Sequence, residues 1–129
     1  MRVMIVTVVA MPQGTIVRTD LAEARRRLAA TRYLLVDVEL PETGPEEGEQ
    51  LARRLGLGDT DLDWFGRPGE PARADFLGDT VGLVVPVVQD ERVSYAHAVA
   101  GDRYLVTAHR GPALLAPEIT AHVRRERPR

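Results

Sequence analysis

The sequence predicts an α/β fold in which one mixed sheet, parallel in part and finished by an antiparallel meander, is covered by helices. Three observations point there. Over the first half of the chain, apolar β-branched runs alternate with amphipathic helical segments. In the second half, four strand-like runs follow one another across short turns. A length of 129 residues with 44% hydrophobic content suffices for one core, so residues 1–129 read as a single domain.

The elements follow in order. Residues 2–10 (RVMIVTVVA) form a continuous β-branched run and read as a strand. Met11-Pro12-Gln13-Gly14 carries turn chemistry, and Thr15 to Arg18 returns as a short second strand. Asp20-Leu21-Ala22-Glu23 has the D-x-x-E spacing of a capping box and opens a helix to about Ala30. Leu21, Ala24 and Leu28 form its apolar stripe, leaving Arg25, Arg26 and Arg27 mostly on the solvent side. Tyr33 to Leu40 (YLLVDVEL) is a strand ended by Pro41. In its second half Asp37 and Glu39 alternate with Val36, Val38 and Leu40, which predicts one apolar and one polar face.

Thr43-Gly44-Pro45-Glu46 is a second capping box, with Pro in the first turn where a missing N–H costs little. Leu51 and Leu55 continue that helix to Gly56 and Gly58. Asp59 to Gly66 has room for one more helical turn, and Arg67 to Pro71 is a loop. The period then changes to two. Ala72 to Leu77 is a short strand and Val81 to Val88 a long apolar one, in which Pro86 requires an edge position or a bulge. Gln89 to Arg92 is a hairpin turn. Val93, Tyr95, His97 and Val99 share one face of the next strand. Gly101-Asp102 turns the chain into a last strand, Arg103 to His109, and Pro117 opens a helix carrying Ile119 and Val123.

Composition excludes several function classes. With no cysteine there is no disulfide scaffold, thiolate zinc site or cysteine nucleophile. Seventeen basic against nineteen acidic residues, a net charge of −2, argue against a broad nucleic-acid footprint. No segment approaches the ~20 apolar residues of a membrane span, and the N-terminus lacks the apolar core and cleavage site of a signal peptide. A soluble, cytoplasmic domain is the expectation. Charge is nevertheless uneven: all basic residues are Arg, and Asp37 to Asp79 holds twelve acids against four arginines. The basic tail, Arg124 to Arg129, lies outside that window. The acidic middle reads either as a solvated face or as an attractor of divalent cations.

Candidate chemistry is sparse. His97, His109 and His122 fall on two strands and a helix without ligand spacing, whereas zinc needs three or four converging donors. The only serine, Ser94, lies in a strand and not on a nucleophile elbow. There is no glycine-rich phosphate loop. Asp59, Asp61, Asp63 and Glu70 reproduce the acid spacing of an EF-hand, but Trp64 occupies the position where the sharp turn needs Gly. What survives is a negative turn of three carboxylates, Asp59, Asp61 and Asp63, able to hold a partly hydrated Mg²⁺ weakly. Beside it, Trp64 and Phe65 either pack inward, with one capping the loop, or present an aromatic anchor to another protomer.

The order of these features resembles the N-terminal cytoplasmic domain of the CorA-like magnesium and divalent-cation transporter family. The match runs through YLLVDVEL, the helix end Leu51-Ala52-Arg53-Arg54-Leu55-Gly56-Leu57 and the turn Leu62-Asp63. It continues through the loop Pro71 to Phe76 and the strand Val81 to Val85. It closes on the hairpin Val93 to Val99 with Gly101 to Arg110, which is similar to the family's "V-S-I-F-L … F-L-V-T-V-H". Residues 15 to 126 are covered.

The resemblance implies an α/β/α sandwich around the mixed sheet and a role in divalent-cation transport as a sensing and assembly module. It implies partners too: the protein's own membrane domain of two helices, neighbouring protomers of a homopentamer, and divalent cations such as Mg²⁺. It places the domain on the cytoplasmic face of the membrane, with no catalysis and no transport by the domain itself. The family's turn carries adjacent acids that help bind regulatory ions between protomers. Here Asp63 stands at the first position and Trp64 at the second, with Asp59 and Asp61 as further carboxylates. Two other readings of the residues stay open: a stand-alone α/β protein-interaction module with no metal role, and a small enzyme.

Overall fold

The β-branched run at the N-terminus becomes β1 (Ile5–Ala10), which the turn at Met11–Gly14 reverses into β2 (Thr15–Thr19). Gly14 takes a φ of 73° there and its N–H closes on the Ala10 carbonyl at 2.8 Å. α1 (Leu21–Ala30) follows, then β3 (Leu34–Leu40), α2 (Leu51–Arg54), β4 (Arg73–Leu77), β5 (Thr80–Gln89), β6 (Arg92–Ala100) and β7 (Tyr104–Arg110). The computed structural model describes residues 4–30, 33–41, 50–57 and 62–110. The second capping box at Thr43 to Glu46, Gly58, Asp59 and Asp61, and the helix expected from Pro117 with His122 and the basic tail lie outside the described residues.

The seven strands form one mixed sheet in the order β2-β1-β3-β7-β6-β5-β4. β3 and β7 pair in parallel and every other neighbouring pair is antiparallel. The meander starts at the far edge with β4 and works inward until β7 settles against β3. The parallel pair therefore joins the N-terminal half of the chain to the C-terminal half.

Register assigns the faces. Val6, Val8, Val36, Val38, Val106, Ala108, His97, Val99 and Val84 share one side, and both helices pack there through Leu21, Ala24, Leu51, Ala52 and Leu55. Leu62, Trp64 and Phe65 complete that core. On the opposite side Val9, Leu35, Asp37 and Thr107 are also buried. The burial of Asp37 corrects the expected polar outer face of β3.

Local chemistry explains the remaining boundaries. Asp20 caps α1 by accepting the Glu23 N–H on Oδ1 at 2.8 Å. The reciprocal half of the capping box is replaced, because the Glu23 carboxylate takes Arg26 and Arg27 instead. Those two guanidinium contacts, Arg26 first, hold the Glu23 carboxyl down at about 2. Pro86 pairs with Tyr95 on β6, while β4 reaches only as far as Val84, so the proline occupies a stretch of β5 with one open edge. Asp90 and Glu91 take φ of 49° and 62°, the two positive values of a two-residue hairpin turn of the primed type. The extra helical turn expected over Asp59 to Gly66 is, among the described residues, of 3₁₀ type at Leu62, closed by Phe65 N–H on the Leu62 carbonyl at 3.0 Å.

Candidate functional site

Outside the regular elements, the turn at Leu62–Arg67 is held by buried side chains and by hydrogen bonds to β6 and β7. Leu62, Trp64 and Phe65 drive it inward, with Trp64 3% exposed and Phe65 fully buried. Both aromatics thus join the core, which removes the reading of Trp64 as an exposed anchor. The Trp64 ring occupies the space over Gly82, where a Cβ would meet its Cζ2 at 2.7 Å. The Arg73 guanidinium lies 5.0 Å from the same ring and pairs with Glu70 and Asp75 at 3.2 and 3.0 Å.

Gly66 ends the turn with φ 90° and is held at both polar atoms. Its N–H donates to His97 Nδ1 at 2.9 Å, and its carbonyl accepts from Arg110 Nη2 at 3.1 Å. Arg110 Nη1 also donates to the Pro41 carbonyl at 3.0 Å, so one side chain ties the end of β3 to the turn. His97 sits 5.6 Å from Trp64 and 6.2 Å from Phe65, ring to ring. It is 6% exposed, and burial, with the nearby Arg110 and Arg73 charges, pushes its pKa down to about 4. The imidazole is therefore neutral, with Nδ1 accepting and the proton on Nε2.

Beside this turn opens a cavity of about 200 Å³ whose wall includes His97, Arg67, Glu70, Tyr95 and Arg110. On the opposite face of the sheet, adjacent positions of β3 and β7 bring three polar groups together. Thr107 Oγ1 donates to Asp37 Oδ1 at 2.6 Å, and His109 Nε2 lies 2.9 Å from Asp37 Oδ2. The acid stands between the hydroxyl and the imidazole, each on its own carboxylate oxygen. Its chemistry is that of a buried, satisfied polar network fixing the β3–β7 register.

Of the three expected metal ligands, only Asp63 is among the described residues. Its side chain is 75% exposed and pairs with Arg67 at 3.1 Å. Among the described residues no three acids or histidines converge. The Gly66–His97–Arg110 latch was not foreseen in the sequence: the outward signal was only a histidine on the same strand face as Val93, Tyr95 and Val99. Among the described residues no helix is long and apolar enough to cross a membrane.

No family model matches this chain, and no curated protein does. Solved structures share its fold. The soluble domain of CorA from Methanocaldococcus jannaschii superposes with a TM-score of 0.59 over 97% of this chain at 14% identity. The full-length CmaX protein gives 0.62 over 98% at 12% identity. The complete CorA magnesium transporter from Methanocaldococcus jannaschii gives 0.51 over 98% at 15% identity. This chain spans 48%, 40% and 38% of those three chains, respectively.

Proposed function

We propose that this chain is the cytoplasmic sensing and assembly domain of a CorA-like divalent-cation transporter, with no transport or catalysis of its own. The observation that carries this reading is the superposition of nearly the whole chain on the soluble domain of CorA. In this reading the described sheet and helices are part of an α/β/α sandwich. The domain sits on the cytoplasmic face of the membrane, joined to its own membrane helices and to neighbouring protomers in a homopentamer. Asp59, Asp61 and Asp63 form the acidic turn that meets Mg²⁺ or a similar ion, weakly and through retained waters. Bound ions favour one arrangement of the domains and their loss frees another, which is linkage between states.

Two measurements test it. The natural coding sequence beyond Arg129 should encode two apolar segments of ~20 residues; a frame that closes without them removes the transport role. Mg²⁺ titrated to millimolar levels should shift the amide signals of Asp63 and Gly66 or change the association state. A titration in which neither moves, repeated on the assembled full-length protein, rejects the acidic turn as a sensor.

One observation favours a second reading, a protein-interaction module with no metal role. The β5–β6 hairpin runs past both neighbours and leaves Val88, Val93 and Tyr95 exposed. A domain of that kind would associate identically with and without divalent cations.

A further inference from the structure

The cavity beside the Leu62–Arg67 turn contains donors that the fold leaves unanswered. His97 Nδ1 already accepts the Gly66 N–H, so the ring proton is on Nε2, which has no hydrogen-bond partner among the described residues. Arg67 Nε is buried and likewise lacks a partner, although the far end of the same guanidinium reaches Asp63. A buried N–H without an acceptor is costly, and on this wall Arg67 Nε is the one such donor among the described residues, whereas His97 Nε2 is not closed off. Among the described residues the cavity wall carries Arg67, Arg110 and one carboxylate, Glu70, which is paired with Arg73. Leu40, Pro68 and Ala108 supply apolar wall. A volume of about 200 Å³ exceeds what a bare inorganic ion fills and suits a small organic molecule.

We propose that this cavity binds a small organic carboxylate, its oxygens taking Arg67 and His97 Nε2–H and its apolar body lying against Leu40, Pro68 and Ala108. Arg67 matters for geometry as well as charge, since its planar fork matches a carboxylate where an ammonium is only a point charge. The site shares Arg67 with Asp63 of the acidic turn, so the two are coupled through that guanidinium, but its occupancy does not depend on the transport reading.

The test uses the whole chain, with benzoate as probe and sodium chloride at matched ionic strength as control. Benzoate should raise the melting temperature saturably and shift the His97 ring signals, where chloride does neither. Arg67→Gln, a change at a half-exposed side chain that leaves the core intact, should weaken benzoate binding roughly tenfold or more, with Arg67→Lys between the two. The proposal is overturned by a benzoate response no larger than chloride's, or by one that Arg67→Gln leaves unchanged. Saturation by inorganic phosphate but not by benzoate also overturns it, because the apolar wall is then unused.

Discussion

Acid should weaken this fold through His97, by an amount its surroundings allow one to work out. The imidazole is buried between Trp64 and Phe65, faces Arg110 and Arg73, and holds a pKa of about 4 against 6.5 in the unfolded chain. The unfolded state therefore takes up the proton first as pH falls. Stability is complete above 6.5 and drains away on the way down to 4. The difference corresponds to about 3 kcal/mol in full, of which less than half is gone at pH 5.5 and most by pH 4.5. Structurally, protonating Nδ1 replaces an acceptor with a donor facing the Gly66 N–H, so the turn loses its tether as the ring gains a buried charge.

His97→Gln isolates the effect. A glutamine oxygen can still accept from Gly66 but does not titrate, so the variant should lose about 1–2 kcal/mol at pH 7 through poorer packing. By pH 4.5 the two proteins should have reversed, with the variant the more stable. Urea unfolding of both at pH 7, 5.5 and 4.5 reads this directly. Other acid-sensitive groups, such as the exposed Glu23 beside Arg26, occur in both proteins and cancel in the difference. A gap that stays constant across the three pH values refutes the reasoning, as does a His97 imidazole midpoint at 6 or above by NMR.

Three further outcomes are expected. Asp37→Ala removes the better acceptor of the Thr107 hydroxyl, which keeps only the long contact to the Val36 carbonyl, and one partner of the His109 ring, and should cost about 1–3 kcal/mol in chemical denaturation, while Asp37→Asn, which still accepts from Thr107, should cost less. Gly82→Ala places a methyl 2.7 Å from the Trp64 ring and should cost about 1–3 kcal/mol, with a change in Trp64 emission reporting the displaced indole. Asp20→Ala removes the α1 cap and should lower stability by about 1 kcal/mol, read from the urea midpoint at unchanged slope.

What the sequence made legible was local. Alternation placed the meander strands within a residue or two, Pro86 announced its open edge, and Asp20 marked the start of α1, because each signal lies within a few residues of its effect. The errors involve partners far along the chain. Asp37 reads as a polar outer position until Thr107 and His109, about seventy residues away, arrive on the neighbouring strand to satisfy it. His97 reads only as one more residue on the face of Val93, Tyr95 and Val99, since Gly66, which needs its lone pair, is thirty-one residues distant. Trp64 leaves its packing undecided until Gly82 provides the space for its ring. Each is a long-range contact, and strand periodicity carries no information about which distant residue will lie opposite.

Those same long-range contacts decide what the acidic turn is able to do. Under the proposed function, an ion at Asp63 competes with Arg67 for one carboxylate, and an exposed pair of this kind is worth only about 0–1 kcal/mol. Binding alone is therefore cheap and would tell the rest of the molecule little. Sensing needs a strain-bearing connection, because an effector acts only through contacts that differ between states. Gly66 is that connection: three residues beyond Asp63, it is gripped by His97 of β6 on one side and by Arg110 of β7 on the other. Arg110 reaches on to the end of β3, so the turn is tied to the parallel pair on which the two halves of the chain meet. A cation that shifts Asp63 without moving Gly66 is merely bound; one that moves Gly66 pulls on the sheet.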